Sequence, residues 1–288
     1  MKIAVIPNNV NNLDKYVECG CNTFILGLKD YSINYCGLTI DEIKNIFDKH
    51  CNIEIFISVN KTIFNNDLND LENKLIELNN IPIKGVLFYD LGILSLYQKH
   101  KFNYSLVWHQ THMVTNYNTV DYYYDKGANY AYLAGEITSS EMVEIKNKTK
   151  SKLFATIIGH PIMAHSRRSL LTNYYESQDR TYSGDLTLIS EKDSSYIVAE
   201  SKDGTCIYDN KIVNGIDYIN ELSILDYGVI HGFNIDEELL IKLISLLDDV
   251  IRNNSNVSKD KIKELIGNDT GFFNKKTIFK VKKDEKKN

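Results

Sequence analysis

The chain has 288 residues, 43% of them hydrophobic and 25% charged, which supplies a core for one large α/β domain or two ordinary ones. Its formal net charge of −5 excludes a global basic field, so any contact with RNA must rest on a local patch. The N-terminus lacks the apolar core of a signal peptide and no later apolar run approaches a membrane span, which predicts a cytoplasmic protein without membrane partners.

The cysteines give no sign of a disulfide framework or a structural zinc site. They are five in number and contain no CxxC pair: Cys19, Cys21, Cys36, Cys51 and Cys206. An odd, scattered set of this kind predicts reduced thiols in the core. We therefore predict no metal site.

Short β-branched runs alternate with amphipathic stretches from the first residue. Strands are predicted at Lys2–Pro7, Thr23–Gly27, Ile53–Val59, Gly85–Asp90, Ser105–His109, Tyr130–Ala134, Lys152–Ile158 and Tyr227–Gly232. Helices are predicted at Asn11–Cys19, Thr39–His50, Asp67–Leu78, Leu91–His100, Thr119–Lys126, Ser139–Lys146, Asp217–Leu225 and Asp236–Arg252. The spacing of Thr39 and Glu42 predicts a capping box at the start of the second helix.

Eight strands that alternate with helices favour an α/β fold, a (β/α)8 TIM-like barrel, with an open doubly wound sheet as the alternative. Three β-like runs between Asp185 and Asp209 predict a small antiparallel insertion. We assign the barrel to residues 1–255, with the insertion at about 181–210. Residues 256–288 are assigned to a C-terminal helix at Lys259–Ile266 and a strand-like tail whose lysine-rich end is expected to be solvated.

Polar residues stand where the predicted strands end, and barrels of this kind bind ligands at those ends. Asp90 and Glu136 are candidate acids, bases or cation ligands, and His109 and His160 could move protons near neutral pH. Asn60 ends another strand and is a candidate substrate-binding residue. A helix N-cap at Asp90, or histidines that only pack at the rim, would explain the same pattern.

The stretch at 159–175, GHPIMAHSRRSLLTNYY, combines histidines, arginines and tyrosines after a predicted strand. Arg167 and Arg168 follow Ser166, where guanidinium groups could clamp the carboxylate or phosphate of a small anionic co-substrate. Tyr174 could stack on a base. Surface ion pairs would be the structural explanation of the arginines.

Several catalytic motifs are absent from the sequence. It contains no GxGxxG, Walker, HExxH or GxSxG motif, so dinucleotide oxidoreductases, P-loop ATPases, zincins and serine hydrolases of the α/β type have no local support.

The stretch at 159–175 resembles the signature of the collagenase-like peptidase family, peptidase family U32, in its pattern Ser-x-Arg-x-Leu-Leu-x-Asn-Tyr. Further pieces agree in order along nearly the whole chain: VLFYDLGIL at 86–94, WHQTHMVTNY at 108–117, GEITSSEM at 135–142 and TGFFNKKT at 270–277. The matched pieces add Asn116 and Asn173 to the candidate substrate-binding residues. The resemblance implies a barrel-like catalytic domain in a cytoplasmic bacterial protein.

In that family, members were named as peptidases, and relatives are implicated in oxygen-independent hydroxylation of ribosomal RNA, of the wobble uridine of tRNA and of a ubiquinone precursor. Many carry four cysteines that hold an iron-sulfur cluster. This chain has Met163, Ala164 and Arg168 in that region and no cysteine until Cys206. A cluster needs about four thiolates, so the chain resembles a short form without the cluster, and no cofactor is predicted.

The resemblance favours a protein of tRNA uridine hydroxylation, with tRNA as partner and either a cluster-bearing paralogue or a second copy of the chain beside it. One alternative is a collagenase-like peptidase, a hydrolase with Ser166 near His165 or His160 as its only candidate nucleophile. The other is a non-catalytic binding scaffold, which the missing cysteines would explain.

Overall fold

The computed structural model describes residues 1–33, 35–50, 52–191 and 194–275. Eight parallel strands form a closed barrel, because the first strand pairs with both the second and the last. The barrel strands are β1 Lys2–Ile6, β2 Thr23–Leu28, β4 Glu54–Val59, β5 Gly85–Phe88, β6 Ser105–Trp108, β7 Tyr130–Tyr132, β8 Lys152–Gly159 and β14 Tyr227–His231. The predicted (β/α)8 barrel is confirmed, and the alternative of an open doubly wound sheet is wrong.

Two short strands extend this sheet, and helices connect its strands. Strand β3 at Gly37–Leu38 pairs in parallel with β2, and β13 at Val213–Asn214 pairs antiparallel with β8. The helices are α1 Leu13–Glu18, α2 Ile40–Lys49, α3 Leu68–Leu78, α4 Leu91–His100, α5 Tyr117–Asp125, α6 Ser139–Lys148, α7 Leu170–Glu176, α8 Ile219–Leu222, α9 Glu237–Asn253 and α10 Asn256–Ile266. None of the helices in these ranges is long and apolar enough to cross a membrane.

The predicted capping box of α2 is present. The Thr39 side chain accepts a hydrogen bond from the backbone N–H of Glu42, whose carboxylate accepts one from the backbone N–H of Thr39. The helix predicted at Asp217–Leu225 is shorter in the structure, which has a 3-10 turn at Ile216–Tyr218 followed by α8. Cys51 and the predicted lysine-rich end at 276–288 lie outside the described residues.

Two apolar layers hold the barrel together. Side chains that alternate along the strands point inward, and aromatic rings dominate this interior, where Phe154 stacks on Tyr227 at 4.2 Å and Phe56 meets both rings edge-on. The residues between them on each strand, such as Val5 and Ile57, belong to an outer apolar cluster that includes the buried side chains of the helices. The inner layer closes the barrel to solvent over most of its length.

A second sheet of four antiparallel strands stands at the carboxyl end of β8. Its strands, in sheet order, are β10 Thr187–Glu191, β11 Ser194–Ser201, β12 Gly204–Asp209 and β9 Ile162–Ser166. The predicted antiparallel insertion is therefore confirmed. Strand β9 was not predicted, because it lies inside the stretch at 159–175 and pairs with β12 some forty residues further along.

Candidate functional site: a cavity at the mouth of the barrel

A cavity of about 100 Å³ lies where β6, β7, β8 and β14 end and where β9 begins. Its polar lining comes from the strand ends: His109, Tyr132, Thr156, His160 and His231, with Glu136 in the loop after β7. The first residues of β9, Ile162 and Met163, supply an apolar side. The small sheet therefore completes a site that the barrel strands begin.

His231 is the last residue of β14 and is only 5% exposed. The backbone N–H of Phe233 donates to its Nδ1 at 3.2 Å, so the neutral ring carries its proton on Nε2. That Nε2 is buried and has no hydrogen-bond partner among the described residues. Burial, and then the nearby His160, lower the pKa of His231 to about 4. The ring is therefore a neutral donor at physiological pH.

His109 follows β6 and stacks on the ring of Tyr132, with ring centres 4.5 Å apart. Its Nδ1 is also buried without a hydrogen-bond partner in the described part of the chain. Burial, with a smaller contribution from His231, lowers the pKa of His109 to about 3. The Tyr132 hydroxyl is held by the hydroxyl of Thr156 at 2.8 Å, which fixes the tyrosine ring against the imidazole.

His160 connects the cavity to the small sheet. Its Nδ1–H donates to the backbone carbonyl of Asp209, the last residue of β12, at 2.9 Å. Burial lowers the pKa of His160, although the carbonyl of Asp209 opposes this shift. The contact fixes the orientation of the ring and the position of the sheet above the barrel.

Glu136 stands at the rim of the cavity and is paired with His112. The distance between a carboxylate oxygen and Nδ1 is 2.8 Å, and the two side chains are 40% and 43% exposed. A carboxylate beside an imidazole, both open to solvent, can exchange protons with a bound ligand. His112 was not among the predicted site residues, although it stands in the WHQTHMVTNY segment that carries part of the family resemblance.

The structure places three other predicted site residues in local structural roles. Asp90 is the N-cap of α4, where its carboxylate accepts from the N–H of Gly92 at 2.8 Å and also from that of Ile63 at 3.1 Å. The Asn60 amide accepts from the N–H of Ile33 at 2.8 Å and donates to its carbonyl at 3.2 Å. Asn116 caps α5. None of the three lines the cavity.

Arg167 also lies outside the cavity lining. Its guanidinium donates to the carbonyl of Thr62 at 3.0 Å and to the Asp67 carboxylate at 3.3 Å, and it lies 4.0 Å from the centre of the Phe64 ring. These contacts bind the end of β9 to the loop before α3. The arginine is thus occupied within the protein.

The rest of the predicted substrate-binding group is exposed or held locally. The Ser166 hydroxyl accepts from the backbone N–H of Arg168 at 3.2 Å. Arg168, Asn173 and Tyr174 are exposed on or before α7, with Tyr174 62% exposed. The structure therefore brings Glu136, His109 and His160 together and leaves the predicted anion-binding group outside the cavity lining.

Sequence reasoning left several lining residues out of the predicted site. His231 ends a strand in the same way as His109, so its position was visible in the sequence. Tyr132 and Thr156 are strand residues whose pairing across β7 and β8 appears only when the barrel closes. Inward-facing residues alternate with outward-facing ones along each strand, and this alternation is the one sequence signal that would have indicated Tyr132 and Thr156.

The residues present do not fit an iron-sulfur cluster. Cys206 is 3% exposed and pairs across the small sheet with His165. The described chain also contains no group of three or more His, Cys, Asp or Glu side chains placed to hold a metal ion. No step of the proposed chemistry is therefore assigned to a cluster.

Comparison with known proteins gives a family and two relatives. The model of peptidase family U32 matches residues 8–268. The chain is 26% identical to tRNA hydroxylation protein P2 of Bacillus subtilis, over 96% of this chain and 99% of that protein. It is 24% identical to tRNA hydroxylation protein P1 of the same organism, over 61% of this chain and 43% of that protein.

Among solved structures, a putative lyase/mutase from Burkholderia cenocepacia aligns with 90% of this chain and 86% of its own, at 9% identity and a TM-score of 0.43. This likeness is too low to bear on function.

Proposed function

This chain belongs to peptidase family U32, and from that membership we propose that it acts in the hydroxylation of a uridine in tRNA. One observation carries the proposal: the similarity to tRNA hydroxylation protein P2 of Bacillus subtilis, which spans both proteins almost from end to end.

The cavity at the barrel mouth is the site at which we place this activity. Barrels of this class bind ligands at the carboxyl ends of their strands, and the cavity lies there with buried nitrogens on His109 and His231 that have no hydrogen-bond partner among the described residues. Glu136 and His112 at the rim would hold or release the proton that leaves or reaches the bound base. The stacked rings of Tyr132 and His109 would orient the bound base.

We propose that a second protein of the same family is the partner. Two supports are the matches to both P1 and P2 of one organism and the lack, among the described residues, of a group that fits a cluster. If the cluster belongs to the partner, the two proteins divide binding and redox chemistry between them. Co-purification of tagged chain with its paralogue would test this, and recovery of this chain alone would contradict it.

No observation favours the peptidase alternative. Ser166 accepts a hydrogen bond from the backbone of Arg168, and within the described residues it forms no hydrogen bond with His160 or His165. His165 instead packs its ring against Tyr89. A serine nucleophile needs a base within hydrogen-bond reach, and the described part of the chain shows no hydrogen bond from the Ser166 hydroxyl to one.

The experiment is nucleoside mass spectrometry of bulk tRNA from strains with and without the gene. We expect hydroxylated uridine to disappear in the deletion strain and to return with a plasmid copy of the wild-type gene. Unchanged hydroxyuridine in the deletion strain would contradict the proposal.

A further inference from the structure

The lining of the cavity carries no positive charge that could hold an anion. None of the described residues that line it is Lys or Arg. Burial keeps His109 and His231 neutral at physiological pH, since it lowers their pKa values to about 3 and about 4. The one cationic candidate, His112, is already paired with Glu136 at the rim. A bound anion would lose its hydration and gain no counter-charge.

The size and the walls of the cavity suit one small flat ring. Cavities of roughly 150 Å³ admit a benzene molecule, and this one, at about 100 Å³ with an open rim, is of that order. One polar wall is the Tyr132–His109 stack, and Met163 with Phe273 supplies apolar surface.

The hydrogen-bonding groups left open in the cavity match the edge of a pyrimidine. The Nδ1 of His231 accepts from the backbone N–H of Phe233, so the proton of the neutral ring is on Nε2. This Nε2–H donor has no acceptor among the described residues. A neutral imidazole offers one N–H and one lone pair, so His109 can donate or accept beside it. The pairing edge of uracil has a carbonyl that can accept from His231 and a ring N–H that can donate to His109.

We propose that this cavity binds a single pyrimidine base, flipped out of its RNA, through its uncharged carbonyl-bearing edge. The proposal rests on the proposed function in that it takes the tRNA as the source of the base. Enzymes that modify a base withdraw it into such a pocket and read its pairing edge. It follows that the anionic parts of the RNA, and any anionic co-substrate, bind outside the cavity.

Saturation-transfer NMR at pH 7.5 on the purified full-length protein tests this directly. The probes are uridine, benzoate as a charged six-membered ring of similar size, and ribose 5-phosphate as the anionic part of a nucleotide. We expect transfer to the H5 and H6 protons of uridine and none to the two anions. Binding of benzoate or ribose 5-phosphate without uridine would overturn the proposal.

Variants of His231 test whether uridine binds in the cavity. His231→Asn keeps an acceptor near the Phe233 N–H but removes the Nε2–H, and we expect uridine to bind about threefold to tenfold more weakly. His231→Gln restores a donor near the Nε2 position and should recover part of the affinity. His50→Gln changes a histidine that pairs with Asp14, outside the cavity lining, and should leave binding unchanged.

A steric block gives a second, independent variant. Gly135 stands at the exposed rim of the cavity, and a Cβ there would meet no other described atom within 4 Å, so a larger side chain can be placed at the cavity mouth without breaking a contact. We expect Gly135→Leu to fold normally by thermal unfolding and to lose uridine binding, with Gly135→Ala between it and the wild type. Full uridine binding by a folded Gly135→Leu would overturn the proposal.

The outcomes separate this inference from the proposed function. If tRNA hydroxylation is normal in the deletion strain but uridine binds and Gly135→Leu abolishes the binding, the function fails and the base pocket stands. If hydroxylation is lost in the deletion strain but uridine does not bind, the pocket assignment fails and the function stands.

Discussion

At the scale of single residues, the buried nitrogens of His109 and His231 destabilise the fold. A buried polar group without a partner costs about 1–3 kcal/mol. Both rings also remain neutral because charging them in place would cost more. Sites that break such packing rules in native proteins are typically places where a ligand completes the hydrogen bonds.

The stability of the protein should therefore depend on His231 as the pH falls. Its pKa is about 4 in the folded protein and about 6.5 in an unfolded chain, so between these values the unfolded state binds more protons. The free energy of unfolding should fall as the pH is lowered from 6.5 to 5, and His231→Asn should reduce that slope by up to about 1.4 kcal/mol per pH unit. Urea unfolding at stepped pH measures it, and parallel curves for both proteins would contradict it.

Glu136 should matter for activity more than for stability. Its ion pair with His112 is largely open to solvent, and exposed pairs contribute at most about 1 kcal/mol. We expect Glu136→Gln to leave the melting temperature within a few degrees of the wild type while tRNA hydroxyuridine falls in the complemented deletion strain. Wild-type levels of hydroxyuridine with this variant would show that the carboxylate is not needed.

At the scale of elements, strand β9 changes the meaning of the stretch at 159–175. Its pairing with β12 turns a predicted ligand loop into one edge of a sheet, and only Ile162 and Met163 of that strand reach the cavity. The segment IMAHS has no clear β-branched alternation, and its partner is distant in sequence. A local pattern could not predict this strand, whereas the barrel strands, which are β-branched and regularly spaced, were predicted nearly to their ends.

Helix α7 depends on Glu200 of the small sheet. The Glu200 carboxylate accepts from the backbone N–H groups of Leu171 at 2.6 Å and Thr172 at 3.2 Å and from the Thr205 hydroxyl at 2.9 Å. Charge-assisted bonds of this kind are worth about 2 kcal/mol, so Glu200→Ala should lower stability by that order. It should also speed hydrogen exchange at residues 170–176.

The matched control for that prediction is Glu176→Ala. Glu176 ends the same helix and is exposed, so its removal should leave exchange at the start of α7 near the wild-type rate. Equal exchange rates in the Glu200→Ala and Glu176→Ala proteins would contradict the role assigned to Glu200.

At the scale of the whole molecule, the sequence predicted the barrel and its mouth but not which polar strand ends face the mouth. Asp90 and His109 both follow predicted strands, yet Asp90 caps α4 and His109 lines the cavity. A side chain at a strand end can serve the next helix or the barrel mouth, and the choice depends on loop geometry that periodicity does not encode. The contacts of Arg167 could not be predicted for a related reason, since its partners Thr62 and Asp67 lie far away in sequence.

The central claim is that this cavity, at the carboxyl ends of the barrel strands, serves tRNA hydroxylation. Obstructing its rim without removing any contact tests the claim most directly, and Gly135→Leu places a large side chain there. The measurement is the hydroxyuridine content of tRNA from a deletion strain that expresses either the wild-type chain or this variant at equal level. We predict that the wild type restores hydroxyuridine and the folded variant does not; full restoration by the variant would contradict the account.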